Sequence, residues 1–172
     1  MRLEEHVRSV MDFPKEGIDF KDITPMFEDP VVFAYTIDQM CEMYSDKKID
    51  RIGAFDARGF LFGPTMAYRM DVPFFPIRKK GKLPYETVSE SYGLEYGKDC
   101  VELHVDAVKP GDKVLLIDDL LATGGTMKAG CNLVDKLGGE VAGCGFVIEM
   151  AGLGGRDKLQ DYDVRSLLKY EV

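Results

Sequence analysis

The sequence predicts a single α/β domain with a mostly parallel central sheet flanked by helices. From Ile49 onward, strand-like and helix-like segments alternate along the chain, which is the order of a parallel sheet with crossover helices. The run KVLLID is almost entirely apolar, as expected of a strand that helices cover on both faces. With 172 residues and 45% hydrophobic content, the chain is long enough to bury about two-thirds of its unfolded surface in one core.

The N-terminal part of the chain predicts a short helix, a turn-rich stretch and a longer helix. Apolar residues recur with helical spacing at Leu3, Val7, Val10 and Met11. The turn-rich stretch FPKEGIDFKDITP runs from Phe13 to Pro25. Asp29 followed by Pro30 is typical of a helix N-cap and first turn, so we expect the longer helix to begin there.

The remaining segments repeat the order of strand, loop and helix. IDRIGAF predicts a strand, LFGPTMAYRM a helix and VPFFPI the next strand. VELHVD and KVLLID predict two further strands, which are followed by a helix from Thr126 to Leu137 and a last strand, EVAGCGFVIEM. The stretch from Arg78 to Lys98 is polar and has no apolar period, which is typical of a long mobile loop or a hairpin.

Composition disfavours several classes of protein. The formal net charge of -8 at pH 7 argues against broad contact with DNA, RNA or an anionic membrane, because those partners select basic surfaces. The four cysteines form no C-x-x-C pair and the two histidines lie beside no motif, which disfavours a zinc site, a disulfide framework and histidine catalysis. The charged N-terminus and the lack of an apolar stretch of about 18 residues lead us to expect a soluble cytoplasmic protein.

The thirteen residues VLLIDDLLATGGT combine an apolar strand, two carboxylates and a glycine turn. Gly124 and Gly125 let backbone N–H groups approach a ligand, and the helix that follows points its positive dipole end the same way. A Cβ atom at Gly124 is therefore expected to lie where a phosphate would approach. Asp118 and Asp119 can only accept hydrogen bonds, so they suit sugar hydroxyls or the water shell of Mg²⁺. A phosphorylated ribose would satisfy both halves of the motif.

A second loop, DARGF, also follows a predicted strand. Ligands of α/β sheets bind beyond the carboxyl ends of strands, so the two loops would face one cavity if their strands are neighbours. Plainer interpretations exist for each feature: the glycine turn could be an ordinary capped connection, and RKKGK could be a solvated run of charge. Neither a Walker P-loop nor a G-x-G-x-x-G turn is present, which leaves NTPase and NAD-enzyme interpretations with little support.

These motifs resemble those of the type I phosphoribosyltransferases, whose phosphoribosyl pyrophosphate (PRPP) motif is matched by VLLIDDLLATGGT. The similarity covers nearly the whole chain and is strongest to members that act on adenine. It is carried, in order, by FPKEGIDFKDITP, DARGFLFGP, IRKKGKLP, SYGLEYG, the PRPP motif and GGRDKL. The resemblance implies transfer of ribose 5-phosphate from PRPP to N9 of adenine, giving AMP and pyrophosphate in purine salvage. It also implies a homodimer, and Mg²⁺ that PRPP carries rather than the protein holding it directly.

Two other functions stay open on the sequence. One is a hypoxanthine or guanine phosphoribosyltransferase, because the family commonly has an apolar residue at the position of Asp19 and often arginine at that of Lys21. The other is a non-catalytic, PRPP-sensing regulator that binds nucleic acid, which the acidic balance of the chain disfavours.

The resemblance also implies roles for individual residues. The PRPP 5-phosphate would bind Ala122, Thr123, Gly124, Gly125 and Thr126. Pyrophosphate would bind Asp56, Ala57, Arg58, Gly59, Arg78, Lys79 and Lys82, in part across a dimer interface, with a cis peptide bond between Asp56 and Ala57. The catalytic residues would be Asp118 and Asp119, at the ribose hydroxyls, and Glu95, in proton handling at the base.

Two segments complete the assignment that the resemblance implies. Residues 79–98 would form a flexible lid. A small N-terminal hood, residues 1–28, would bind the base through Asp19, Phe20 and Lys21. Phe20 would stack on the purine, although the residue type by itself favours packing in the core. The side chain of Asp19 would point to solvent while its backbone reads the purine rim.

Overall fold

The structure, a computed structural model, describes residues 1–93 and 99–171. The chain divides into two compact units, Met1–Gln39 and Met40–Val172. The prediction of one domain with a hood at residues 1–28 and a lid at residues 79–98 stays a prediction. None of the described helices combines the length and the apolar character needed to cross a bilayer.

The first unit contains a pair of short strands and the start of a longer helix. A 3₁₀-helix (Leu3–His6) precedes β1 (Arg8–Met11), which pairs antiparallel with β2 (Asp19–Asp22). Two helices follow, α1 (Pro25–Glu28) and α2 (Pro30–Glu42). The Oδ1 atom of Asp29 accepts the N–H of Val31 at 2.8 Å, which confirms the predicted start of α2.

The helix predicted from the spacing of Leu3 to Met11 is wrong. Only its first part is helical, and Val10 pairs with Phe20 across the two strands. A helix of this length is marginal in water, whereas pairing with β2 satisfies the backbone of β1 and suits the β-branched Val10.

The second unit is built on a sheet of seven strands in the described residues. Its elements in chain order are β3 (Arg51–Phe55), α3 (Gly59–Met70), β4 (Phe74–Lys79), β5 (Thr87–Tyr92), β6 (Asp99–His104), β7 (Lys113–Leu121), α4 (Gly125–Lys136), β8 (Glu140–Ala151), α5 (Gly155–Lys158) and β9 (Val164–Glu171). Their order across the sheet is β5-β6-β4-β3-β7-β8-β9. The five strands from β4 to β9 in this order are parallel, and β6 and β5 add an antiparallel edge. The predicted fold class is confirmed.

The centre of the sheet places two loops side by side. The chain leaves β3 for β4 on one side and later returns to form β7 on the other side, so β3 is the point where the strand order reverses. Ile52 pairs with Leu115 and Ala54 with Ile117 in parallel register. The carboxyl ends of β3 and β7 are therefore neighbours, which is where α/β sheets bind their ligands.

Two strands differ from the sequence prediction, and a third agrees with one of its alternatives. β5 lies inside the predicted lid and pairs antiparallel with β6, as the hairpin alternative predicts, and its Val88 and Tyr92 pack against the core. β7 continues to Leu121 because Leu120 pairs with Ile148 of β8. β9 follows the strand that was predicted to be the last, and it completes the pairing of β8.

Arg165 holds β9 against the segment that follows α2. Its guanidinium donates to the Asp163 carboxylate at 3.0 and 2.6 Å and to the Asp46 carboxylate at 2.8 and 3.1 Å. The Lys47 ammonium adds a contact of 2.8 Å to Asp163. The hydrogen bonds from Arg165, helped by Lys47, lower the pKa of Asp163 to about 2.

Replacing Asp163 by Asn should lower the free energy of unfolding at pH 7 by about 1 kcal/mol, a value reduced from the full pKa shift because solvent screens a partly exposed pair. The native pKa lies below the unfolded value of about 3.9, so the deficit should be constant above that pH and disappear as the pH falls toward 2. Urea titrations at a series of pH values measure it. A deficit that is independent of pH would contradict this role of the ion pair.

Candidate active site

A cavity of about 390 Å³ opens beyond the carboxyl ends of β3 and β7. The DARG loop after β3 and the carboxylates at the end of β7 both line it, as predicted for loops on neighbouring strands. The lining includes Asp56, Ala57, Arg58, Lys79, Tyr92, Asp118, Asp119 and Thr126. Four groups of predicted site residues thus meet in the second unit: the DARG loop, the basic segment, the two carboxylates and the glycine turn.

The glycine turn forms the start of α4. Gly124 has a φ of 77° and is the N-cap, and its carbonyl accepts the N–H of Lys128 at 3.0 Å. The first N–H groups of an α-helix have no acceptor within the helix, so those after Gly124 are directed at a ligand position. Residues 122–126 line a smaller cavity, of about 90 Å³, at this helix start. The geometry is that of an anion cradle.

The structure shows a reason for glycine at position 124 that the sequence did not predict. A Cβ atom there would lie 2.9 Å from the carbonyl oxygen of Gly155, while the expected conflict with a phosphate stays a prediction. The positive φ and the backbone of α5 together require glycine. Position 125 differs, because a Cβ there would meet the ring of Tyr92 at 3.1 Å.

Gly59 allows the DARG loop to approach the end of β7. A Cβ atom at this position would lie 3.0 Å from Oδ1 of Asp118 and 3.2 Å from the carbonyl oxygen of Ile117. A larger residue would force these atoms to move by a few tenths of an ångström. The peptide bond between Asp56 and Ala57 is cis, as the resemblance implies.

The two adjacent carboxylates have different environments. Oδ2 of Asp119 contacts Nε of Arg58 at 2.7 Å, and the Asp119 side chain is 11% exposed. Oδ1 of Asp118 accepts the N–H of Asp119 at 2.9 Å. Burial and, second, the charge of Asp119 raise the pKa of Asp118 well above its usual range. The pair of Arg58 with Asp119 was not predicted, because sequence spacing gives no sign that the two loops touch.

The basic segment, which begins with the last two residues of β4, contributes one half-buried link and two exposed cations. Nε of Arg78 donates to Oδ2 of Asp56 at 3.1 Å, and another of its nitrogens donates to the carbonyl of Lys82 at 3.4 Å. Arg78 therefore joins this segment to the DARG loop. The Lys79 ammonium lies 3.7 Å from Asp99, and Lys82 is exposed.

Sequence reasoning missed one residue that shapes this turn. Glu102, on β6, is only 7% exposed and its Oε2 accepts the N–H of Gly81 at 3.1 Å. Its place in an alternating strand marked it as a core or surface position and gave no sign of this contact.

The predicted base-binding residues lie on β2, in the first unit. The ring of Phe20 is partly exposed and meets Phe13 edge-on, with 5.2 Å between ring centroids. Nζ of Lys21 donates to Oδ2 of Asp19 at 2.7 Å and to Oγ of Ser9 at 2.8 Å, and the bond from Lys21 lowers the pKa of Asp19. The Asp19 side chain is 37% exposed, in keeping with the expectation that it points to solvent, although its Oδ1 atom is buried without a hydrogen-bond partner.

Glu95 lies outside the described residues. Among the residues that are described, no three His, Cys, Asp or Glu side chains are grouped so as to hold a metal ion.

Comparison with known proteins agrees with this fold. Residues 34–171 match the phosphoribosyl transferase domain family. An adenine phosphoribosyltransferase of Clostridium botulinum is 55% identical over the full length of both chains. The crystal structure of the adenine phosphoribosyltransferase of Thermoanaerobacter pseudethanolicus superposes with a TM-score of 0.94 at 50% identity, covering 98% of this chain and 100% of that one.

A yeast structure extends the similarity to a liganded enzyme. The adenine phosphoribosyltransferase of Saccharomyces cerevisiae, complexed with D-2,5-dideoxy-2,5-imino-altritol 1,6-bisphosphate and adenine, has a TM-score of 0.91 at 40% identity, with 96% of each chain covered. The sheet and the paired loops define a phosphoribosyltransferase. The chain belongs to the phosphoribosyltransferase family and, within it, to the adenine phosphoribosyltransferases.

Replacing Asp118 by Asn should stabilise the protein at neutral pH. The raised pKa means that the native state resists ionisation of this carboxyl more than the unfolded chain does, so its charge costs stability. The gain in melting temperature should be absent below about pH 4, near the unfolded pKa, and should grow with pH until the native carboxyl has ionised.

Calorimetry of both proteins from pH 4 to 9 measures this gain. Asp163→Asn is the matched control. The pKa of Asp163 is lowered in the wild-type protein, so this variant should be less stable than wild type over the same pH range. A lower melting temperature for Asp118→Asn at pH 8 would contradict the assignment.

Proposed function

We propose that this chain transfers ribose 5-phosphate from PRPP to N9 of adenine, giving AMP and pyrophosphate in purine salvage. The observation that carries the proposal is one cavity that joins an anion-binding helix start, two carboxylates and the DARG loop. The full-length identity to adenine phosphoribosyltransferases supports adenine as the base. A hypoxanthine or guanine enzyme and a PRPP-sensing regulator are not favoured.

The 5-phosphate of PRPP would bind at residues 122–126. Backbone N–H groups at the start of α4 would donate to its oxygens, and Thr123 and Thr126 would add hydroxyl donors. A phosphate at this position gains from the helix dipole. The ribose would then extend along the end of β7, where Asp118 and Asp119 would accept hydrogen bonds from its hydroxyls.

Pyrophosphate would bind between the DARG loop and the basic segment. Arg58 is 43% exposed, so it can turn from Asp119 toward an incoming diphosphate while Asp119 accepts a ribose hydroxyl in exchange. Lys79 and Lys82 would add charge, in part from a second subunit. Arg78 would act mainly by holding Asp56 in place, because two of its nitrogens are already engaged.

Catalysis would rest on electrostatics and positioning. Breaking the bond from the ribose to pyrophosphate creates positive charge on the sugar and negative charge on the leaving oxygens. The carboxylates of Asp118 and Asp119 would stabilise the first charge, and Arg58, Lys79 and Lys82 the second. Glu95 would handle the proton at the base.

The donor chemistry of the site fits Mg²⁺ carried by PRPP. Asp118 and Asp119 supply carboxylate oxygens at the cavity, the ligand type that Mg²⁺ prefers, and most of its shell would come from substrate and water. When bound, the ion would neutralise charge on the diphosphate. The two carboxylates would contact its water shell as well as the ribose hydroxyls.

For the base, we propose that Phe20 supplies a stacking face and Lys21 a positive edge, with the backbone near Asp19 reading the purine rim. The partly exposed Phe20 ring is compatible with stacking. The ion pair with Asp19 holds Lys21 in a defined position.

We also propose that residues 79–98 form a lid that excludes water from PRPP. Glu90, on β5, accepts hydrogen bonds from Asn132 at 3.1 Å and Lys136 at 2.5 Å of α4. These contacts attach one part of the lid to the helix that starts at the anion cradle.

The proposed homodimer has a candidate surface on α3. Leu61 and Tyr68 lie on one helical face and are 43% and 89% exposed, which is a large exposure for hydrophobic side chains.

All four cysteines are free thiols. The Sγ atoms of the buried Cys131 and Cys144 lie 3.6 Å apart, without a disulfide bond. Because disulfides are rare in the reducing cytoplasm, these free thiols support the proposal that the protein is cytoplasmic.

The base preference is testable with a panel of purines. Pyrophosphate release from PRPP and Mg²⁺ should be fastest with adenine, by about 10⁴-fold in kcat/KM over hypoxanthine and guanine, because the wrong base leaves buried polar groups unpaired. The preference should largely survive Asp19→Ala, while Phe20→Ala should lower kcat/KM for adenine. A higher kcat/KM with hypoxanthine or guanine would overturn the adenine assignment and leave phosphoribosyl transfer intact.

The ribose assignment predicts that Asp119→Asn lowers kcat/KM on the order of 100-fold with little loss of stability, because the variant removes charge at the reacting sugar. Asp106→Asn is the matched control, since Asp106 is exposed after the far end of β6 and should leave turnover unchanged. Steady-state kinetics and thermal unfolding measure the two effects. Normal kcat/KM in the double variant Asp118→Asn, Asp119→Asn would remove the assignment.

A further inference from the structure

The loop that would hold the 5-phosphate rests directly on a second glycine turn. A Cβ atom at Gly155 would lie 2.3 Å from the carbonyl oxygen of Ala122 and 2.7 Å from Cδ1 of Leu121. In the other direction, a Cβ atom at Gly124 would meet the Gly155 carbonyl at 2.9 Å. At Gly124 and at Gly155 the backbone of one turn therefore packs directly against the backbone of the other. A shift of the turn at Gly155 should move residues 122–124, the proposed phosphate loop, with it.

The next residue, Arg156, fixes that turn to the sheet. Its Nε and Nη2 atoms contact the two carboxylate oxygens of Glu149 at 2.9 and 2.5 Å, and Nη1 donates to the carbonyl of Val164 at 2.9 Å. Glu149 is only 4% exposed, and its Oε2 also accepts the hydroxyl of Ser166 at 2.9 Å. The guanidinium thereby joins α5 to β8 and β9 with a two-pronged geometry that leaves little rotational freedom.

Packing alone does not fix the turn. A cavity of about 240 Å³ lies beside it, lined in part by Leu121, Gly155 and Arg156. Side chains around an open space can shift at low cost, whereas a two-pronged ion pair with a buried carboxylate holds one position.

We infer that Arg156, held by Glu149, is a positioning residue for the 5-phosphate of PRPP: it sets the backbone at Gly155, which in turn sets the loop from Ala122 to Gly124. This inference rests on the proposed 5-phosphate site. Arg156 itself touches no substrate atom in this account. The effect of Arg156 should be confined to the phosphate end of the substrate. The DARG loop, proposed to bind pyrophosphate, follows β3, whereas the turn at Gly155 follows β8.

The inference separates two binding affinities. In Arg156→Met, KM for PRPP and the dissociation constant of ribose 5-phosphate should rise about 10- to 100-fold, as for other residues that orient a binding group from behind. The dissociation constant of pyrophosphate and KM for adenine should stay within about twofold of wild type. Arg156→Lys should recover only part of the loss, because an ammonium cannot reproduce the two-pronged contact.

The matched control is Arg51→Met. Arg51 pairs with Asp112, with both side chains 17% exposed, and also donates to the carbonyl of Ala107, but it lies at the opposite end of the sheet. Because the Arg156 side chain is 51% exposed, Arg51→Met should lose at least as much thermal stability and keep wild-type affinity for ribose 5-phosphate. Equal losses of affinity in Arg51→Met and Arg156→Met would show a general effect of destabilisation and overturn the inference.

A loop variant distinguishes failure of the inference from failure of the site. Thr126→Ala should raise the dissociation constant of ribose 5-phosphate. If Thr126→Ala raises this dissociation constant and Arg156→Met leaves it unchanged, the positioning role is wrong and the 5-phosphate site stands. If neither variant changes the constant, the 5-phosphate assignment fails as well. Should Arg156→Met not fold, Ser166→Ala gives the same test, because it removes one hydrogen bond to Glu149 and should weaken ribose 5-phosphate selectively.

Discussion

The parallel pairing of β3 with β7 is the constraint on which the site depends. The Asp50 N–H donates to the Lys113 carbonyl at 2.8 Å, and the Lys113 N–H returns a bond to the Asp50 carboxylate at 2.9 Å. From this start the two strands run in register as far as Ala54 and Ile117, next to the DARG loop and Asp118. A slip of one residue would exchange the faces on which Asp118 and Asp119 lie and change their contacts with the DARG loop. Gly59 then lets the two loops meet at the distance that the site requires.

That pairing places unfavourable charge where function needs it. Two carboxylates occupy adjacent positions at the end of a buried strand, and one guanidinium, from Arg58, lies against them. The cost appears in the raised pKa of Asp118. A site that must attract a sugar with developing positive charge benefits from such carboxylates, so we interpret the lost stability as a consequence of the chemistry. The basic segment, proposed to bind the diphosphate, and the start of α4, proposed to bind the phosphate, supply the opposite charge nearby.

Sequence patterns predicted the parts of this fold that local chemistry determines. The apolar run of β7, the capped start of α2 at Asp29 and the glycine turn before α4 each follow from residues close in sequence. Patterns failed where distant contacts decide. The β1 segment forms a strand because β2 pairs with it, and the backbone of Gly155, distant in sequence, leaves no room for a side chain at Gly124.

The same division holds within the site. Residue types predicted which side chains gather at the cavity, because loops that follow neighbouring parallel strands meet at one edge of the sheet. They could not predict the ion pairs of Arg58 with Asp119 and of Arg78 with Asp56, since these depend on which strands are neighbours. The positioning role proposed for Arg156 could not be predicted for the same reason, although Arg156 belongs to GGRDKL, one of the segments that carry the family resemblance.

The crystal structure of this chain with AMP and pyrophosphate tests the central claim most directly. The account predicts the AMP phosphate within about 3.2 Å of the backbone nitrogens at the start of α4, the ribose hydroxyls at Asp118 or Asp119, and pyrophosphate at the DARG loop. An AMP phosphate bound elsewhere, for example at Arg156 and Lys169, with residues 122–126 making no contact to it, would contradict the account.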